Sequence, residues 1–179
     1  MSRSAPSRHG CSSLRDRNLL SRSWDCVYRR SGGGPGLAPF VPKGLMTIPI
    51  EDVREVDFAA PRGHWHFVRT RDGWRATQGI ATAGFEVRLD SALKLLRNSG
   101  PDRVLTEAEV ARVGVAQFGL APPRPRVIVS GPGASVFAIS FGGTNPMGLS
   151  HYARLDGSQE IALLPAFVVE EWERAGGTP

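Results

Sequence analysis

A regular alternation of hydrophobic and polar residues begins only at Met46, and this change in pattern divides the chain in two. Residues 1–45 are rich in Ser, Arg, Gly and Pro, and they show neither the period typical of strands nor the period typical of helices. Such a segment buries too little apolar surface to offset the conformational entropy lost on ordering, about 1–2 kcal/mol per residue. We therefore predict one folded domain over residues 46–179, preceded by a disordered segment.

The charge of the chain follows the same division. Residues 1–45 contain eight Lys and Arg against two Asp and Glu, a net charge of +6, whereas residues 46–179 contain fourteen against fifteen, a net charge of −1. The net charge of +5 for the whole chain therefore describes the N-terminal segment and not the domain. Contact with nucleic acid or another anionic surface is expected only through residues 1–45, whose cations would release counterions from phosphates.

Residues 1–45 have two other interpretations, which stay open at this point. Their Ser- and Arg-rich, acid-poor composition is also typical of an organelle transit peptide, and Met46 is a candidate for the true start of the protein. No apolar run in the chain approaches the roughly 20 residues that a membrane-spanning helix needs. As written, the sequence indicates a cytoplasmic protein, although a domain without cysteine suits an envelope compartment equally well.

Residues 46–179 predict an α+β domain, with mostly antiparallel hairpins and about three packed helices. Asp72-Gly73 and Asp156-Gly157 are typical of hairpin turns, as is Gly131-Pro132-Gly133, and residues 142–146 are predicted to form a longer loop. Strands are predicted over residues 53–58, 64–69, 74–76, 127–129, 136–141, 151–155 and 160–164. Helices are predicted over residues 85–98, over a short stretch through Val113 that opens with a capping box of Thr106 and Glu109, and over residues 166–174.

Three histidines are the only candidates for a metal site in the domain sequence. His64 and His66 lie two residues apart on a predicted strand and therefore share a face, which suits two metal ligands. A zinc site needs at least a third ligand, and the remaining histidine of the domain is His151. Exposed strand histidines are the simpler interpretation, so we predict no metal and no cofactor and keep the three histidines as weak candidates.

The domain sequence contains no recognisable catalytic motif. It has no serine in a Gly-x-Ser-x-Gly elbow and no cysteine nucleophile. Neither Gly131-Pro132-Gly133 nor Gly142-Gly143 is followed by the Lys-Ser/Thr pair of a phosphate-binding loop. We therefore predict no catalytic residues and no enzymatic activity, while an enzyme built on the three histidines remains an alternative.

Five short motifs occur in a characteristic order along residues 47–175. They are the opening strand from Pro49 to Val56, Asp72-Gly73-Trp74, the helix with Leu89 to Leu96, Phe118-Gly119-Leu120-Ala121-Pro122-Pro123, and the final hairpin with its helix from His151 to Ala166. In this order they resemble the bacterial domain-of-unknown-function family numbered 4340. The residues that carry the resemblance as a scaffold motif are Asp72, Gly73, Trp74, Phe118, Gly119, Leu120 and Pro122.

The resemblance implies a bacterial protein with no catalytic residues to carry over. Members of that family typically have an N-terminal membrane anchor and place the domain outside the cytoplasmic membrane, and some are similar to auxiliary parts of transporter or gliding-type systems. The chain departs from this pattern where the anchor is expected, so an envelope location follows only if the true N-terminus differs.

Together these observations predict a non-catalytic interaction or scaffold module with an unidentified protein partner. The resemblance implies a link to an envelope or transporter-type assembly. Binding of nucleic acid or an anionic surface through residues 1–45 is the alternative.

Overall fold

Two β-meanders meet at the centre of one sheet in the computed structural model, which describes residues 41–121 and 125–176. The strands are β1 (Glu55–Ala60), β2 (Gly63–Thr70), β3 (Gly73–Gln78), β4 (Arg103–Leu105), β5 (Arg126–Ser130), β6 (Val136–Thr144), β7 (Ser150–Leu155) and β8 (Ile161–Pro165). The helices are α1 (Phe85–Asn98), α2 (Glu107–Val113) and α3 (Ala166–Ala175), with 3₁₀ turns at Ile50–Asp52 and Val115–Phe118. Neighbouring strands are antiparallel, in the spatial order β3-β2-β1-β5-β6-β7-β8-β4. The predicted α+β class is confirmed.

Within each meander the order of the strands follows from short connections between consecutive strands, and β4 pairs with β8 at the outer edge. β1, β2 and β3 run outward from the centre on one side, and β5 to β8 run outward on the other, so that β1 pairs with β5 across the middle. The register of this pair places Val56 opposite Val129 and Phe58 opposite Val127. Each meander is followed by a helix, α1 after β3 with an intervening turn and α3 directly after β8.

α1 and α3 pack on each other and on one face of the sheet, here called the helix face. α1 buries Leu89, Ala92, Leu93 and Leu96, the spacing of one side of an amphipathic helix. α3 contributes four buried residues in the same way, Val168, Val169, Trp172 and Ala175. The main core lies between this layer and the inward residues of the strands, among them Val56, Phe58, Trp65, Phe67, Val127, Val129, Ile139 and Phe141.

The opposite face of the sheet, here called the second face, is covered over only one half. There α2 and the turn before Gly119 build a smaller core of Val110, Phe118, Leu120 and Ile161, with Leu105, Val115 and Tyr152 packed against it. This core lies over β4, β8 and β7. Residues of β1, β2 and β3 on the other half of the second face are exposed or half-buried, and we call that half the open half.

The Asp72-Gly73-Trp74 motif connects the outer hairpin to α1. Gly73 adopts a φ of +128°, which a residue with a side chain rarely takes, and it closes the turn between β2 and β3. The buried Trp74 donates a hydrogen bond from Nε1 to Oδ1 of Asp90 over 2.9 Å. The Arg69 guanidinium lies 4.6 Å from the centre of the Trp74 ring and pairs with the same carboxylate. These contacts hold α1 against β2 and β3.

The prediction of a loop over residues 142–146 is wrong for the first three of these residues. Gly142, Gly143 and Thr144 belong to β6, which continues past an irregularity in its pairing with β7. A Cβ atom at Gly142 would lie 2.2 Å from the carbonyl oxygen of Phe118. Glycine is therefore needed here for the close approach of two backbones, and not for a turn.

Most other local predictions agree with the structure. α1 has the predicted bounds, and the capping box of Thr106 and Glu109 opens α2. α3 ends one residue later than predicted, and β4 was not predicted because its three residues are too few to show alternation. Residues 1–40 of the predicted disordered segment, and Pro122 of the scaffold motif, lie outside the described residues.

Two further observations concern the start of the domain and its helices. The backbone N–H of Gly44 donates to the carbonyl oxygen of Arg97 over 2.8 Å, and Met46 is buried in the main core. The chain is therefore already part of the domain at Gly44. No helix within residues 41–121 and 125–176 has the length and apolar character needed to cross a bilayer.

Replacing Gly142 by alanine should destabilise the domain, because the new methyl group would meet a backbone oxygen that cannot easily move. We expect Gly142→Ala to lower the free energy of unfolding by about 1–3 kcal/mol, the usual cost of overpacking. Urea-induced unfolding followed by circular dichroism measures this difference.

Gly143→Ala is the matched control for this prediction. A Cβ atom at Gly143 would lie 3.7 Å from the same oxygen, an ordinary contact distance. We expect Gly143→Ala to change the free energy of unfolding by less than about 1 kcal/mol. Equal losses in the two variants would show that the packing of Phe118 against Gly142 has no specific role.

Candidate functional site

Three polar side chains converge at the centre of the open half. Trp65 and Phe67 of β2 point to the helix face, so His64 and His66 point to the second face. Asp57 lies between the buried Val56 and Phe58 of β1 and therefore shares that face. The two-residue turn between β1 and β2 sets a register in which Asp57 is opposite His66 and Ala59 is opposite His64.

Asp57 forms a hydrogen bond with each of the two histidines. Its Oδ2 lies 2.8 Å from Nδ1 of His66, and its Oδ1 is bonded to Nε2 of His64. An ionised carboxylate only accepts hydrogen bonds, so both ring nitrogens act as donors when Asp57 is charged. The carboxylate thus fixes the orientation of both imidazole rings.

The histidines lower the pKa of Asp57. Partial burial is the largest single influence and raises this pKa, but the hydrogen bonds from His66 and His64, together with their charges, outweigh it. The pKa of Asp57 therefore lies below its ordinary value of 3.8. Asp57 is ionised at neutral pH, and the cluster contains a fixed negative charge between two donors.

His151 does not join this cluster. It lies on β7, four strands away from β2, a separation of about 19 Å. Its neighbour Tyr152 packs on the second face, so alternation places His151 on the helix face, opposite to His64 and His66. Within residues 41–121 and 125–176, no group of three or more His, Cys, Asp or Glu side chains is placed to hold a metal ion.

The described residues of the scaffold motif lie apart from the histidines, and most of them act in packing or in a turn. Trp74 is on the helix face, Gly73 closes the outer hairpin and Asp72 is exposed in its turn. Phe118 and Leu120 are buried in the smaller core. Gly119, with a φ of +70°, lies between them and approaches the backbone of Gly143.

A second surface feature, which sequence patterning did not indicate, lies at the end of the sheet where α3 begins. Met147, Leu149 and Phe167 are 76%, 64% and 49% exposed. The Oδ1 of Asn145 accepts hydrogen bonds from the N–H groups of Leu149 and Ser150, which orders the turn between β6 and β7. The carbonyl oxygen of Leu149 accepts a bond of 2.9 Å from the N–H of Ala166.

The hydrogen bond between Ala166 and Leu149 brings the turn between β6 and β7 next to the first residues of α3. Three apolar side chains are thus presented to solvent by two connected and ordered segments. We call Met147, Leu149 and Phe167 the apolar end. Exposed apolar side chains that lie close together can mark a surface that contacts other molecules.

Comparison of the chain with protein-family models, with curated proteins and with solved structures gives no match.

The lowered pKa of Asp57 predicts a dependence of stability on pH. A carboxyl group whose pKa is lower in the folded state than in the unfolded state stabilises the fold above its unfolded pKa, and this contribution is lost as the pH falls through the folded pKa. We expect the wild type to exceed Asp57→Asn in the free energy of unfolding by up to about 1 kcal/mol at pH 6. The difference should shrink as the pH falls below 3.8.

Glu55→Gln is the control, because Glu55 lies two residues earlier on the same face of β1. Chemical denaturation between pH 2.5 and pH 7 would measure the free energy of unfolding of the wild type and of both variants. The contribution assigned to Asp57 would be refuted if Asp57→Asn and Glu55→Gln followed the same pH profile.

Proposed function

We propose that the domain is a non-catalytic interaction module that binds a protein partner through the apolar end. The exposure of Met147, Leu149 and Phe167 on two ordered segments is the observation that carries the proposal. Full burial of a side chain of this size contributes about 1.5–3 kcal/mol. Contact with an apolar surface of a partner would therefore supply a substantial part of the binding free energy.

The non-catalytic part of the proposal is supported by the chemistry of the candidate site. Asp57 and the two histidines form a closed set of hydrogen bonds, and no serine or cysteine nucleophile adjoins them in the sequence of β1 or β2. Serine and cysteine are common nucleophiles that an adjacent base activates. The cluster is better suited to fixing the surface of β1 and β2 than to turning over a substrate.

The resemblance to family 4340 supports a more specific form of the proposal. On that basis the partner would belong to a bacterial envelope or transporter-type assembly.

Serine at all three positions of the apolar end should weaken partner binding. We expect Met147→Ser/Leu149→Ser/Phe167→Ser to lower the affinity by at least tenfold, because a loss of about 1.4 kcal/mol already corresponds to that factor. A partner would first be identified by cross-linking and mass spectrometry in bacterial envelope extracts. Its affinity for the wild type and the variant would then be measured by isothermal titration calorimetry with purified components.

A matched control replaces three exposed apolar residues outside the apolar end, Ile80, Val87 and Val136, by serine. We expect this variant to bind as the wild type does. Equal affinity of all three proteins for the partner would contradict binding through the apolar end. A catalytic activity of the purified protein that disappears when one domain residue is substituted would contradict the non-catalytic role.

Binding of nucleic acid through residues 1–45 is a second candidate function, supported by the net charge of +6 in that segment. We expect the full chain to bind duplex DNA with an affinity that falls steeply with salt. Replacing the seven arginines of residues 1–45 by glutamine should abolish this binding and leave partner binding through the apolar end intact. Equal weak binding by both proteins in a salt titration would refute this function.

A further inference from the structure

We propose that a depression beside the turn between β1 and β2 binds an oxyanion. It is lined by the basic side chains Arg62, His64 and Arg126, with the small residues Ala59, Ala60 and Gly63 between them. We call it the basic depression. It is separate from the apolar end, and the proposal does not depend on the proposed function.

The register of the strands creates the depression. Ala59 of β1 is opposite His64 on one side and opposite Arg126 of β5 on the other. His64 and Arg126 are therefore two strands apart, about 10 Å between their backbones. Because only a methyl group stands between these two long side chains, a gap remains above Ala59.

The charge of the lining suits an anion. Arg62 and Arg126 are permanently charged at any physiological pH, and no Asp or Glu lines the basic depression. Asp57 bonds to His64 and Asp156 pairs with Arg126, so these carboxylates offset part of the positive charge, and Glu173 lines a neighbouring depression together with Arg62. Arg62 forms no ion pair with any residue in the described part of the chain.

Arg126 keeps hydrogen-bond donors that its ion pair does not use. Asp156 bonds to Nη2, and Nε is buried without a partner among the described residues. Asp156 bonds only to Nη2, so the other terminal nitrogen, Nη1, makes no hydrogen bond with any described residue and could donate to an additional acceptor. An oxyanion in the basic depression would supply oxygen atoms beside it.

The ligand chemistry follows from the geometry of the donors. A guanidinium group presents parallel N–H donors that match two oxygens of one phosphate or one carboxylate. Arg62 and Arg126, which line the same depression above small residues, therefore favour a group with two or more oxygen atoms over a monatomic anion such as chloride. Phosphate and carboxylate share this chemistry, and separate titrations distinguish them.

Titration of the full chain with inorganic phosphate, and separately with succinate, tests the proposal at constant ionic strength. We expect saturable shifts of the amide resonances of Gly63, His64 and Arg126 in ¹H–¹⁵N spectra with at least one of the two anions. Saturation by phosphate alone would identify a phosphate-class ligand, and saturation by succinate alone would identify a carboxylate. If neither anion gave saturable shifts, the proposal would be overturned.

Single substitutions assign the binding to the named side chains. We expect Arg62→Gln and Arg126→Gln each to weaken binding at least fivefold. Arg88→Gln, which removes an exposed arginine from α1, should leave it unchanged. Equal weakening by Arg88→Gln would indicate attraction by the overall charge and would overturn a specific site.

Arg126→Gln also removes an ion pair, so its fold would be checked by circular dichroism. Arg62 lies in an exposed turn outside both cores, and Arg62→Gln decides the question if Arg126→Gln does not fold. Unchanged affinity in Arg62→Gln would then overturn the proposal.

Discussion

The pairing of β1 with β5 is the contact on which the rest of the structure depends. It joins the two meanders through residues about seventy positions apart in the chain, with Val56 opposite Val129. Closing so long a loop lowers the conformational entropy of the chain, and local contacts do not offset this loss. The compensation comes from the helix face, where Val56, Phe58, Val127 and Val129 are almost completely buried beneath α1 and α3.

The same pairing determines what the second face presents. Because alternate residues of a strand point to opposite sides, burial of Val56 and Phe58 directs Asp57 and Ala59 to the open half. Ala59 then separates His64 from Arg126, and Asp57 bonds to both histidines of β2. The polar cluster and the basic depression are thus consequences of one register.

Both surface features also lie at one end of the sheet. The turn between β1 and β2, the beginning of β5, the turn between β6 and β7 and the start of α3 all meet there. Along this edge the basic depression ends at Arg126 of β5, and the apolar end begins in the turn that follows β6. In the proposed interaction module, an apolar contact and a nearby anion site would recognise a partner by both shape and charge.

The sequence predicted the local features well and the long-range contacts poorly. The bounds of α1 follow from the spacing of Leu89, Leu93 and Leu96, and the start of α2 follows from Thr106 and Glu109, because these signals involve residues within two turns of a helix. The role of Gly142 could not be found in this way, because it depends on the backbone of Phe118, more than twenty residues away. The contact between Asp57 and the histidines could have been predicted from the sequence, because a two-residue turn at Pro61-Arg62 fixes the register of β1 and β2.

Amide hydrogen exchange of the native full chain tests the central role of this strand pair most directly. If β1 and β5 join the two halves, their hydrogen-bonded amides should exchange only through global unfolding, with the same free energy as urea-induced unfolding. The outer strands β3 and β4 should open at lower free energies. Exchange of β1 and β5 at a free energy well below that of global unfolding would contradict the account, because the two meanders would then separate without loss of the fold.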